Sequence, residues 1–170
     1  NKLYLNAKKL INFFENSIIK KIKPSTIYTH SWEGGHEDHD ACNLIARKLR
    51  NKFKIINCYQ FSQYNSFNTS LFFFKIFNPI KKNNGFKIYT NLFNRIKLIL
   101  LLFNYKSQIK VWFGLYPFII SHYLFKGFNF IEKLEKSNKI IKPHSGKLLY
   151  EKRNFCRFSI FKKKMIFIFK

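Results

Sequence analysis

Two histidines three positions apart, His36 and His39, carry the clearest chemical signal in this sequence. Near the start of a helix, positions i and i+3 share one face. Both imidazoles can then converge on one metal ion, or one can bind metal while the other faces a substrate. Catalytic zinc usually takes three protein ligands and a water, so this pair alone does not complete a zinc site. The spacing by itself leaves a polar helix N-terminus with solvated histidines as the alternative.

The residues around this pair are also unusual for this chain. Gly34 and Gly35 precede it and allow a sharp turn or a close backbone approach to a ligand. Asp38 and Asp40, the only aspartates of the chain, would complement the dipole of a helix that begins here. A carboxylate beside an imidazole also fixes its tautomer and raises its basicity. The stretch from Thr29 to Ala46 therefore predicts a functional site.

The segment Thr29–Asp40, THSWEGGHEDHD, strongly resembles the second signature of the LmbE-like (PIG-L) de-N-acetylases. That signature reads roughly T-H-x-x-E-G-G-H-x-D-H-D. Lys23–Tyr28 resembles the strand that precedes it in the family, and Tyr105–Gln108 is similar to the family's Y-x-S-Q. The resemblance is clear over about Lys9–Tyr59 and fainter beyond that range.

The resemblance implies a zinc-dependent hydrolase that removes the acetyl group from an N-acetylglucosamine-type conjugate. It implies that His39 is a zinc ligand and that His36 stabilises or protonates the tetrahedral intermediate. Asp38 would support His36. The implied substrate is an N-acetylated amino sugar, and a lipid-linked one would suit a membrane surface. The residues expected on the substrate side are Glu33, Gly34, Gly35 and His144.

One part of the family pattern is missing from these residues. The family's other signature, A-H-P-D-D-E, lies near the N-terminus and supplies a His ligand, an Asp ligand and the general base. Nothing like it occurs here, and the first residues already read as the middle of a domain. We therefore expect a fragment that is inactive alone. The rival interpretation is a non-catalytic remnant or sugar-binding module without metal.

The net charge of +24 would ordinarily point to nucleic acid or an anionic membrane. The lysines are scattered rather than focused, and A/T-rich codons encode the dominant residue types, so codon bias explains the charge. No RNA-binding or helix-turn-helix motif accompanies it, and we do not expect nucleic-acid binding. Interleaved aromatic and Lys residues leave a membrane-surface role open. Three cysteines without CxxC spacing indicate a reducing, cytoplasmic setting.

Hydrophobic periodicity and helix-breaking residues predict the helices and strands that position the site. A helix over Asn6–Lys23 is stopped by Pro24, and a buried strand follows at Thr26–Thr29. The histidine segment then leaves the carboxyl end of that strand, where open α/β sheets bind ligands. A helix over about Asp38–Lys52 and a strand over Phe53–Tyr59 come next.

Later segments are less regular but continue the alternation of strands and helices. We predict a strand or substrate-side loop at Leu71–Phe74, a strand at Phe86–Thr90, a helix at Asn91–Asn104, and another from Ser107 toward Phe125. His122 is expected in the core or at its boundary. The whole predicts an α/β fold, a Rossmann-like three-layer sheet of the de-N-acetylase type. Residues 1–150 would form the domain and residues 151–170 a loose basic, Phe-rich tail.

Overall fold

The computed structural model describes residues 2–55, 57–69, 75–81, 85–104, 106 and 109–169. Six strands occur in this part of the chain. In chain order they are β1 (Thr26–His30), β2 (Asn57–Phe61), β3 (Tyr64–Asn65), β4 (Lys75–Ile76), β5 (Gly85–Tyr89) and β6 (Phe128–Lys133). Four of them form a mixed sheet in the order β1-β2-β6-β5, and β3 pairs with β4. The pair β1–β2 is parallel, whereas β6 runs antiparallel to both β2 and β5.

Helices account for most of the remaining described chain. They are α1 (Ala7–Phe13), α2 (Lys20–Ile22), α3 (Glu37–Phe53), α4 (Leu92–Leu101), α5 (Ile109–Phe125), α6 (Leu149–Lys152) and α7 (Phe158–Met165). A π-helical segment, Phe14–Ile19, joins α1 to α2, and short 3-10 segments lie at Leu3–Asn6, Leu102–Asn104 and Ile166–Phe169. The combination of a mixed sheet and helices confirms the predicted α/β class.

The unit β1–α3 positions the candidate site. Lys23 ends the first helical stretch in the left-handed region, just before Pro24, and β1 begins at Thr26. The inward face of α3 then buries the apolar residues that the periodicity predicted, which are Ala41, Leu44, Ile45 and Leu49. Burial of these side chains against the first helix and α7 fixes α3, and with it the histidines of its first turn.

Two sequence-based boundaries differ from the structure. Phe53 is the last residue of α3, because helical periodicity continues to that point, and the following strand runs from Asn57 to Phe61 rather than from Phe53 to Tyr59. Strand β6 was not expected at all. The strand or substrate-side loop predicted at Leu71–Phe74 and the Y-x-S-Q-like residues Tyr105, Ser107 and Gln108 lie outside the described residues.

The C-terminal segment packs into the main core. We predicted a loose tail over 151–170, but Phe161, Met165 and Ile168 are each at most 1% exposed. The Phe161 ring packs 5.6 Å from the ring of Tyr4, near the other end of the chain. The prediction of a loose tail is therefore wrong, because apolar side chains of this Phe-rich segment dock it on the core.

Part of the apolar surface remains exposed. Helix α4 has no buried residue, and the exposure of its large apolar side chains reaches 67% at Phe93. Among the described residues, no helix combines the length and the hydrophobicity needed to cross a membrane.

Candidate functional site

The candidate site lies where β1 ends and α3 begins. His30 is the last residue of β1, a loop follows from Ser31, and His36 is the residue just before α3. Because β1 and β2 are parallel, this loop lies at their shared carboxyl end, which is where open α/β sheets bind ligands.

Three imidazole rings meet at this point. The ring centroids of His36 and His39 are 5.2 Å apart, and those of His30 and His39 are 4.1 Å apart with the planes inclined by only 16°. We call His30, His36 and His39 the imidazole cluster. The predicted proximity of His36 and His39 is therefore present. The family-like segment includes His30 without predicting a role for it. The buried strand predicted at Thr26–Thr29 is in the structure an edge strand in which only Thr29 is buried, and His30 is its last residue.

Burial keeps two members of the cluster uncharged. Desolvation, together with the smaller effects of the neighbouring His30 and His36, lowers the pKa of His39 to about 3. Desolvation is also the main reason that the pKa of His30 is below its ordinary value, with the charge of His36 adding to it. Neutral imidazoles are the form that binds metal ions. The buried Nδ1 of His30 has no hydrogen-bond partner among the described residues.

His36 is held by the helix that it starts. Its backbone is extended (φ −139°, ψ 137°), and its Nδ1 accepts the backbone N–H of Asp38 at 3.1 Å. The neutral ring then carries its proton on Nε2, which leaves that atom as a hydrogen-bond donor. Glu37 Oε2 lies 3.5 Å from the same Nδ1. The side chain is thus oriented by the first turn of α3.

Asp38, predicted to support His36, makes its carboxylate contact elsewhere. Its Oδ1 accepts the backbone N–H of Leu3 at 2.7 Å, which ties the N-terminal segment to the first turn of α3. The hydrogen bond that orients His36 comes from the Asp38 backbone. Asp38 therefore positions the imidazole through its main chain in this structure.

Asp40 fixes the loop between β1 and α3. Its side chain is fully buried, and Oδ1 accepts the backbone N–H groups of Glu33 and Gly34, both at 3.2 Å. Burial raises the pKa of Asp40 to about 7, and these two hydrogen bonds oppose the increase. The sequence suggested only a favourable interaction with the helix dipole. The structure shows a carboxyl group that sets the path of the loop.

Glu33, predicted on the substrate side, binds a neighbouring loop. Its Oε1 accepts the backbone N–H of Gln63 at 2.7 Å and of Tyr64 at 3.1 Å, and Oε2 accepts from the Asn65 amide at 3.3 Å. Glu33 is 2% exposed, and burial raises its pKa to about 8. These contacts hold β3 against the site, where the Tyr64 ring meets the His39 ring edge-on at 5.6 Å.

The two glycines are required by packing. Gly34 has a φ of +69°, and a Cβ there would lie 2.7 Å from the Leu148 side chain. A Cβ on Gly35 would overlap the carbonyl oxygen of Tyr64. The Gly34 carbonyl also accepts the N–H of Leu149 at 2.9 Å. Both glycines therefore allow protein segments to pack against the loop.

The remaining histidines lie apart from the cluster. The His144 ring packs on Phe67 at 5.2 Å, its Nδ1 lies 2.6 Å from the Ser145 carbonyl, and no ring contact joins it to the imidazole cluster within the described part of the chain. His122 is 5% exposed and contacts the Phe128 carbonyl at 2.6 Å, as expected for a core residue.

Within the ranges that the structure describes, no group of three or more His, Cys, Asp or Glu side chains is arranged to hold a metal ion. No protein family, curated protein or solved structure matches this chain.

Proposed function

We propose that this chain provides the imidazole part of a zinc-dependent site that hydrolyses the acetamide of an N-acetylglucosamine-type conjugate. The observation that carries the proposal is the 5.2 Å contact between the rings of His36 and His39 at the carboxyl end of β1. The resemblance of the family-like segment to the deacetylase signature indicates the class of reaction. The same resemblance supports our proposal of a Rossmann-like three-layer fold.

The donors present fit the imidazole half of such a site. His39 would hold the ion, because desolvation keeps its nitrogen lone pair free at neutral pH. His30, stacked on His39 and with an unpartnered Nδ1, is the second nitrogen donor at hand. Bound zinc would polarise the acetyl carbonyl and lower the pKa of a water. His36, with Nε2 as a donor, would stabilise the developing oxyanion or protonate the leaving amine.

A complete zinc site needs ligands in addition to these imidazoles. A groove of about 470 Å³ runs along β1 and is lined by its residues Thr26–His30 together with Cys42 of α3 and Phe61 of β2. Because His30 belongs to the lining, a further ligand can reach the cluster along this groove. The proposal therefore places the remaining ligand on a segment beside the free edge of β1.

Zinc titration of the 170-residue chain tests the assignment of roles. We expect weak binding that falls at least about tenfold in His39→Ala, because a direct ligand is lost. His36→Ala should keep the zinc affinity, and His144→Ala is the matched control outside the cluster. Zinc affinity that is unchanged by His39→Ala, or lost in His36→Ala and kept in His39→Ala, would overturn the proposal.

Zinc binding, and not acetate release by the isolated chain, separates the proposed enzyme from a metal-free module. We expect no turnover of N-acetylglucosamine conjugates by the isolated chain, because its ligand set is incomplete. The absence of any three-ligand group among the described residues favours, as a second candidate, a remnant that binds sugar without metal. Zinc binding that depends on His39 would exclude this second candidate.

A further inference from the structure

The outward side of helix α4 is apolar. Four large side chains recur there at spacings of three and four residues, which place them on one side of the helix. They are Leu92, Phe93, Ile96 and Leu100, with exposed fractions between 46% and 67%, and we call them the α4 face. A helix at a protein surface normally directs polar side chains to solvent. An apolar row in that position indicates a surface that a partner covers.

Polar contacts on the inward side hold α4 in this orientation. Arg95 Nε donates to the Thr90 carbonyl at 2.5 Å, and Arg95 Nη1 donates to the Tyr123 carbonyl at 3.2 Å. Toward the other end of the helix, the Tyr116 hydroxyl donates to the Ile99 carbonyl at 3.1 Å. Because Tyr116 and Tyr123 belong to α5, these hydrogen bonds fix α4 along that helix. The α4 face cannot turn inward without breaking them.

Exposed apolar side chains continue on the two elements beside α4. Strand β5 is at an edge of the four-stranded sheet, and its Phe86 and Ile88 are exposed. Phe125, the last residue of α5, is 83% exposed. The Thr90 N–H donates to the Gly127 carbonyl at 2.9 Å, which holds the start of α4 beside the end of α5. The apolar surface therefore extends beyond one helix.

The acidic and basic residues that these three elements carry are all basic. No Asp or Glu occurs between Asp40 and Glu132 in the sequence, and Glu132 is buried. Lys87 of β5 and Lys97 of α4 are exposed. The Nζ atom of Lys97 lies 4.4 Å from the centre of the Phe93 ring, so this charge borders the α4 face itself. Cations without a neighbouring exposed carboxylate attract an anionic partner.

The combination of Lys with Leu, Ile and Phe favours a lipid surface over a protein partner. The cores of protein–protein interfaces are depleted in Lys. At a bilayer surface, by contrast, apolar side chains enter the boundary between headgroups and acyl chains, while Lys side chains reach the headgroups. Helix α4 has ten residues, about half the length of a membrane-spanning helix, so its face can lie on a bilayer but not cross it.

We propose that the α4 face and the adjoining edge of β5 bind the surface of a bilayer that contains anionic phospholipids. The apolar side chains of the α4 face enter the bilayer surface, and Lys87 and Lys97 pair with lipid phosphate groups. In the sheet order β1-β2-β6-β5, this surface lies at the edge opposite the imidazole cluster. Membrane binding therefore fails or succeeds independently of the proposed zinc site, and His39→Ala should bind vesicles as the native chain does.

Flotation of the full chain with phospholipid vesicles, in buffer containing EDTA, tests the proposal. We expect at least about tenfold tighter binding to vesicles with about one third phosphatidylserine than to pure phosphatidylcholine, and weaker binding at high salt. The double variant Phe93→Gln with Leu100→Gln should weaken binding at least about tenfold, because two apolar side chains no longer enter the bilayer. The matched control is Phe13→Gln with Ile22→Gln in the first helical stretch, where these residues are 54% and 66% exposed.

A second pair of variants separates a specific face from the high net charge of the chain. Lys87→Gln with Lys97→Gln should weaken binding to the anionic vesicles about tenfold more than Lys8→Gln with Lys21→Gln does. Both variants have the same net charge, and all four lysines are exposed. Equal losses in the two variants would show that net charge alone causes the binding, and would overturn the proposal. Equal losses in the two apolar double variants would overturn it as well.

Two measurements on the native chain do not depend on how a variant folds. Amide hydrogen exchange in α4 should slow when anionic vesicles are added, and unchanged exchange would overturn the proposal. Sedimentation velocity without lipid should give a monomer. A dimer that dissociates in Phe93→Gln with Leu100→Gln would show instead that a second copy of the chain covers the α4 face.

Discussion

The imidazole rings of His30 and His39 stack at 4.1 Å with nearly parallel planes, and they connect the end of β1 to the first turn of α3. The spacing of the family-like segment predicts the position of His39 in the site. The turn of the loop between β1 and α3 brings the His30 ring against the His39 ring. Repulsion between two adjacent imidazolium ions disfavours a doubly charged stack, and burial lowers the pKa of both rings. Neutral imidazoles are the form that the proposed zinc site would require.

The stack predicts that His30 matters for metal binding. We expect His30→Ala to weaken zinc binding by about tenfold or more, since it removes either a ligand or the ring that orients His39. The measurement is a competitive zinc titration at pH 7.5. His144→Ala, which replaces a histidine that packs on Phe67 outside the cluster, is the control. Identical affinity in the two variants would show that the stacking has no role in metal binding.

Substitution of His36 should affect turnover rather than metal content. In a chain with a complete ligand set, His36→Ala should retain zinc but reduce the deacetylation rate about a hundredfold or more, because it removes the acid or oxyanion donor. Asp38→Asn should have a smaller effect, since the backbone of Asp38 makes the hydrogen bond to His36. Metal analysis and acetate release on both variants are the measurements. A larger rate loss in Asp38→Asn would contradict this order.

The buried carboxyl groups predict a loss of stability above neutral pH. Burial raises the pKa of Asp40 to about 7 and of Glu33 to about 8, above their ordinary values. Between the ordinary and the raised pKa of each carboxyl group, the folded state binds more protons than the unfolded state. The free energy of unfolding therefore falls as pH rises through this interval. Below pH 6.5, the lowered pKa values of His30 and His39 have the opposite effect.

We accordingly expect the highest melting temperature near pH 6 to 7 and a decrease toward pH 8.5. Asp40→Asn keeps an oxygen for the two N–H groups of the loop but cannot ionise, so its melting temperature should depend less on pH between 6.5 and 8. Thermal unfolding of both chains across this range is the measurement. Parallel curves for the native and Asp40→Asn chains would refute the role of this carboxyl group.

Docking of the C-terminal segment should make a large contribution to stability. Phe161 is fully buried against Tyr4, so Phe161→Ala should lower the free energy of unfolding by about 3–5 kcal/mol. Phe167, 39% exposed in the same segment, is the matched control, and Phe167→Ala should cost much less. Urea unfolding measures both. Similar small losses in the two variants would support the loose tail that the sequence suggested.

The sequence predicted those parts of the fold that depend on neighbouring residues. The periodicity of α3, the β-branched run of β1 and the spacing of His36 and His39 are local, and the structure contains all three. Other contacts depend on segments that are distant in the chain. Asp38 binds Leu3, Glu33 binds Gln63 and Tyr64, and Glu132 meets Gln60 only because β6 pairs with β2.

The same dependence on distant segments explains why the sequence alone does not predict that the two glycines serve packing. A Gly-Gly pair before a histidine is compatible with close approach of a ligand or of the protein itself, and only the position of Tyr64 and Leu148 decides between them. In residues 158–169, the buried Phe161, Met165 and Ile168 recur at four- and three-residue spacing, which is a local helical pattern, but the surface that they contact is not local. Their burial is decided by contact with the N-terminal segment, which local patterns do not encode.

Close packing at Gly35 predicts that this residue cannot be replaced. A Cβ at this position would overlap the Tyr64 carbonyl oxygen and lie 3.1 Å from the Tyr64 ring, which itself contacts His39. We expect Gly35→Ala to lower the free energy of unfolding by roughly 1–3 kcal/mol and to weaken zinc binding, because moving Tyr64 disturbs the wall beside His39.

The control is Gly114→Ala in α5, where a Cβ meets no atom within 4 Å. That variant should be neutral or gain up to about 1 kcal/mol, since alanine favours helix more than glycine does. Urea unfolding and zinc titration of both variants are the measurements. A stable Gly35→Ala chain with native zinc affinity would show that the loop tolerates a side chain and that its glycines are not needed for packing.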